Sequence, residues 1–71
     1  MRDPGLELLQ ACERAQKEGA DFPSVWNSVL KKNRLVRGQP RQAMRGSEPA
    51  LEIDLTTGQR LIFAARAFSI A

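Results

Sequence analysis

The 71-residue chain contains no histidine and no tyrosine. Their absence removes the side chain that most often serves as general base or metal ligand near neutral pH, together with a phenolic acid, so the inventory alone disfavours catalysis. Its single cysteine, Cys12, excludes an internal disulfide, which agrees with a reducing compartment and equally suits a secreted chain with no disulfide. No apolar run approaches the roughly 20 residues that a membrane helix requires. Met1-Arg2-Asp3-Pro4-Gly5 has neither the basic start nor the apolar block of a secretory signal, so a cytoplasmic protein with no membrane association is expected. Gly38, Gly46 and Gly58 do not fall into the spacing of a nucleotide-binding loop. No catalytic residue, cofactor or metal ion is expected.

Hydrophobic residues at 42% and charged residues at 27% suit a folded chain rather than a disordered one. At this length, residues 1–71 are expected to form one small domain. Such a domain buries only about 60% of its unfolded surface, leaving stability thin or shared with a partner. The net charge is +3, but its distribution is uneven. Residues 1–21 carry three cations against five anions, and residues 48–71 two against three. Between them, residues 22–47 hold Lys31, Lys32, Arg34, Arg37, Arg41 and Arg45 with no anion at all.

Asp3-Pro4 is a helix-start signal, because aspartate accepts from the free amides of the first turn and proline gives up no bond there. Leu8, Ala11, Cys12 and Ala15 then recur on one face of a helix expected over about residues 4–18, ended by Gly19. A second helix over about 23–32 opens at Asp21 and Pro23. Its apolar stripe is Phe22, Val25, Trp26, Val29 and Leu30, and Asn33 can cap it. Lys31 and Lys32 fall in its last turn, where cations offset the carbonyl end of the helix dipole. Trp26 reads as a core residue of this stripe, or as a half-exposed anchor for a partner. From residue 33 to 49 the chain carries Gly38, Pro40, Gly46 and Pro49, and reads as a connector with at most a short edge strand near Gln39 or Gln42 to Met44.

Leu51, Ile53 and Leu55 alternate with Glu52 and Asp54, as in a strand with one wet face. Thr56-Thr57-Gly58 predicts a three-residue hairpin loop. With that loop Ile53 faces Leu61, Leu51 faces Phe63 and Asp54 meets Arg60, so the apolar residues of both strands share one side; a loop one residue shorter or longer separates them. Residues 64–71 fit two patterns, a strand through Phe68 and Ile70 or a helical stripe through Leu61, Ala65 and Phe68. A third strand at about 67–70 is preferred, since two strands alone are marginal. The expected architecture is α+β: two N-terminal amphipathic helices on one face of a small antiparallel sheet, made of hairpin 51–63 and a third C-terminal strand.

Three features invite a functional reading, each beside a structural one. Cys12 lies on the apolar stripe of the first helix and reads as a small core hydrophobe rather than a nucleophile. Glu52 and Asp54 share a face and could hold a cation, but they are also what a one-sided strand shows to water, with Arg60 opposite. The cationic run is the candidate surface: Lys31, Lys32, Arg34, Arg37, Arg41 and Arg45, exposed on the connector, with no interleaved aromatic to stack on bases. The expected function is therefore a small non-enzymatic binding or adaptor module with a protein partner, present as monomer or weak homodimer. The alternative is a nucleic-acid-binding protein that contacts phosphates through residues 31–45.

Overall fold

A computed structural model describes residues 2–71. Helix α1 spans Pro4–Lys17, and Asp3 caps it as expected, its Oδ1 accepting from the amides of Gly5 at 3.0 Å and Leu6 at 3.2 Å. The helix closes in a Schellman motif: the Ala20 amide donates to the Ala15 carbonyl at 3.1 Å and the Gly19 amide to Gln16 at 3.0 Å, with Gly19 at φ +98°.

The second helix is shorter and differently wound than its stripe suggested. Asp21 caps α2 (Phe22–Val25), accepting from the Ser24 amide at 3.0 Å, and the chain then widens into a π-type turn over Trp26–Leu30. That turn is closed by the Lys31 amide donating five residues back to the Trp26 carbonyl at 2.7 Å. Val25 and Leu30 stand five apart and are both fully buried, which a wider turn permits by rotating them toward one face. No helix among the described residues is long and apolar enough to cross a membrane.

Among the described residues the sheet has four strands in the order β1 (Val36–Arg45), β2 (Glu48–Leu55), β3 (Arg60–Ala64) and β4 (Ala67–Ile70), each antiparallel to the next. The expected connector over residues 33–49 is thus mainly a ten-residue strand and the start of another. Its breakers are absorbed locally. Gly38 at φ +70° and Pro40 sit in a bulge where four steps on β1, from Arg37 to Arg41, match two on β2, from Asp54 to Glu52. Gly46, at φ +67°, makes the β1–β2 turn. Pro49 pairs with Met44 beyond the last β2–β3 pair, Ala50 with Ala64, so its missing amide costs the sheet no bond there.

The β2–β3 hairpin has the expected register, with Leu51 opposite Phe63, Ile53 opposite Leu61 and Asp54 opposite Arg60. Residues 67–70 form a strand rather than a helix. Ala65 and Arg66, at φ +51° and +61°, make a tight two-residue turn that brings Phe68 back against Phe63. Gln16 of α1 ties this turn down by donating from Nε2 to the Arg66 carbonyl.

Both helices pack on the sheet face that carries Ile53, Leu55, Leu61 and Phe68, and bury Leu8, Cys12, Val25 and Leu30 against it. Phe22, Phe63 and Phe68 cluster at one end, with ring centroids 4.8 to 6.1 Å apart. Trp26 is half-buried against the same core. The opposite sheet face carries Arg41, Glu52, Asp54 and Arg60.

Candidate cationic surface

The six cations of residues 31–45 divide into two groups. Lys31 and Lys32 follow the π-type turn, and Arg34 lies in the link to β1. Asn33 shapes that link: its Oδ1 accepts from the Leu35 amide at 2.9 Å and its carbonyl from the Val36 amide at 3.1 Å. The Leu35 carbonyl accepts from the Thr56 amide at 2.7 Å, so the link is also tied to the β2–β3 loop. Arg37 follows on β1, in register with Asp54. All four cations are exposed, and none has a carboxylate oxygen within 4 Å among the described residues.

Arg41 and Arg45 are different, and the expectation that they stand free on a connector is corrected. Past the bulge, β1 resumes its pairing with β2 and lays both side chains over the carboxylates of that strand. Arg41 forms a two-pronged contact with Asp54, Nη1 to Oδ2 at 2.5 Å and Nη2 to Oδ1 at 3.1 Å, and reaches Glu52 at 3.5 Å. Arg60 approaches from β3, with Nε 3.1 Å from Asp54 and Nη1 3.4 Å from Glu52. Arg45 sits more loosely, 3.9 Å from Glu52. Three guanidinium groups thus share two carboxylates across three strands. The hydrogen bonds from Arg41 and then Arg60 hold the Asp54 carboxyl down at about 2, and Asp54 in turn raises the Arg41 guanidinium.

This network uses the Glu52 and Asp54 oxygens that a bound cation would need, and the described residues contain no group of three metal-ligating side chains. Cys12 is sealed in the core, where burial first and the Glu13 charge second push its thiol up to about 11. At neutral pH it is therefore a protonated thiol with no access to substrate.

The structure adds a second surface, formed by a strand of which the sequence predicts only a short edge segment near Gln39 or Gln42 to Met44. The end of the β1–β2 hairpin extends past the helices, and Gln42, Met44, Pro49, Leu51 and Phe63 line an open groove of about 510 Å³ to which no helix residue contributes. Met44 is 63% exposed, the most exposed large hydrophobic side chain among the described residues.

The chain matches no protein-family model, no curated protein and no solved structure. Function must therefore be argued from these surfaces.

Proposed function

We propose that this protein is a small non-enzymatic binding module whose contact surface is the cationic turn carrying Lys31, Lys32, Arg34 and Arg37. One observation carries the reading: these four cations are exposed and unpaired among the described residues, while the nearest carboxylates on the sheet are already taken by Arg41, Arg45 and Arg60. The turn therefore keeps its positive charge available to an outside anion. Its backbone is held at Asn33 and Leu35, so less ordering is needed on binding than in a loose loop. The lack of histidine and tyrosine and the sequestered Cys12 support a non-enzymatic role.

An acidic protein surface is the favoured partner, in a cytoplasmic setting. Nucleic acid is the second reading, supported by the absence of any anion between Phe22 and Ser47. Trp26 is a built-in reporter, since its carbonyl accepts the bond that closes the turn before Lys31. The test is a titration with poly-glutamate and with short single- and double-stranded oligonucleotides, following Trp26 emission and backbone amide shifts at low and moderate salt. Shifts centred on Lys31 to Arg37 that fade with salt support the proposal, and the polymer that produces them names the class. If every polyanion is silent at low salt, the proposal fails.

A further inference from the structure

We propose that the free edge of β1 from Arg41 to Arg45, with the apolar groove beside it, receives one extended segment of a partner protein, added to the sheet as a fifth strand. This goes beyond the cationic turn and uses different residues.

β1 is an end strand, paired on one side with β2 and, among the described residues, bordered by no strand on the other. Its first half is guarded, because the Gly38–Pro40 bulge distorts the edge and Pro40 carries no amide. Its second half is regular: Arg41, Gln42, Ala43, Met44 and Arg45 pair in unbroken register with Glu52 through Glu48. Backbone groups alternate in direction along a strand, so within that run Gln42 and Met44 turn their amides and carbonyls outward, available for pairing.

The side chains of that edge specify what can join it. Residues directly opposite on neighbouring strands share a face. Gln42 and Met44 lie on the groove side, beside Leu51 and Phe63, and favour apolar side chains opposite them. Arg41 and Arg45 lie on the other face, where three guanidinium groups already share the Glu52 and Asp54 carboxylates, so the preference for a further carboxylate rests chiefly on Arg45, with Ala43 facing a small residue. Arg45 is the more available, since among the described residues its one ion-pair partner, Glu52, is 3.9 Å away. The matching strand reads acidic, apolar, small, apolar, acidic. That pattern is the same in either direction, so it does not depend on parallel or antiparallel addition.

A second copy of this chain fits less well. Antiparallel β1 strands centred on Ala43 would set Arg41 of one copy against Arg45 of the other, and like charges directly opposite destabilise a sheet. A nucleic-acid backbone offers phosphate to the arginines but no strand to pair with the edge.

The test is an amide-shift titration of the full chain with blocked peptides containing Glu-Val-Ala-Val-Glu. The controls are Lys-Val-Ala-Val-Lys, the non-alternating Glu-Glu-Ala-Val-Val and a short oligonucleotide, with sedimentation run in parallel. Shifts at Arg41 to Arg45, Leu51 and Phe63 are expected with the first peptide only. Arg45→Glu should weaken that peptide about fivefold and improve the lysine peptide by a similar factor, a reversal that general loss of structure would not produce. Met44→Asp, at an exposed position, should weaken it about as much. Silence at millimolar peptide, equal response to the lysine or non-alternating peptide, occupation of this edge by the oligonucleotide, or a dimer that buries Arg41 to Arg45 would each overturn the proposal. Because the cationic turn is read at Lys31 to Arg37, failure of one surface is separable from failure of the other.

Discussion

Arg37 stands opposite Asp54 in the β1–β2 ladder, yet the Asp54 carboxylate is held by Arg41 from the same strand and Arg60 from the next. The bulge between Arg37 and Arg41 lets the more distant arginine reach across, and the nearer one remains free. Which cations of a basic run are available is therefore decided by strand register.

The first prediction concerns pH. Asp54 titrates at about 2 in the folded protein, below its ordinary 3.8. A depressed folded value means that its contribution to stability is complete above the unfolded value and is lost as pH falls from about 3.8 through about 2. A carboxyl-carbon NMR titration should find that low midpoint, and Arg41→Ala should move it up toward the ordinary range. An unchanged midpoint in the variant would assign the shift to something other than the Arg41 contact.

Arg37→Ala and Arg41→Ala should separate binding from stability. Loss of Arg37 should leave the unfolding free energy nearly unchanged, within about 0.5 kcal/mol, while weakening polyanion binding. Loss of Arg41 should lower stability at neutral pH, with the difference from the unaltered protein shrinking as pH falls from about 3.8 through about 2, and leave binding at the turn intact. Urea melts and salt-dependent titrations of both variants check this, and equal effects on both properties would contradict the division.

Cys12 should behave as a core residue. A thiol-reactive dye should label the native protein only at the rate of unfolding, because the thiol is buried and its ionisation is pushed up to about 11. Cys12→Ser, which puts a hydroxyl in the same space, should cost about 1–3 kcal/mol in urea melts. Fast labelling under native conditions would show that the first helix does not seal this site.

The β3–β4 turn places two non-glycine residues, Ala65 and Arg66, in the left-handed region. Replacing them with asparagine and glycine should stabilise the protein by about 1 kcal/mol, less whatever the glycine loses by loosening the unfolded chain. Thermal or urea melts that show destabilisation would mean that the Arg66 side chain makes a stabilising contact.

Much of this organisation is legible in the sequence, for reasons that also explain the rest. The helix stripes and the 51–63 hairpin could be read because apolar spacing and parity leave one consistent arrangement: only a three-residue loop lets Leu51, Ile53, Leu61 and Phe63 share a face. The third strand followed from what a lone hairpin lacks. Of β1 only a short edge segment near Gln39 or Gln42 to Met44 is legible, because Gly38, Pro40 and Gly46 signal interruption, and an edge strand tolerates all three in a bulge and a turn. Without its full length and register, the partners of Arg41 and Arg45 and the groove at Met44 could not be placed. The charge run itself marks all six cations from Lys31 to Arg45, and only the fold separates the four in the link and at the start of β1 from the two that lie over the sheet carboxylates.

The irregularity at Gly38–Pro40 adds two residues rather than one, so the pleat resumes in phase on its far side. A single-residue deletion there would turn the ribbon over, sending Arg41 and Arg45 under the sheet and Met44 out among the carboxylates. A two-residue deletion would remove the kink and preserve sidedness. Tolerance to length change in this segment should thus alternate between odd and even.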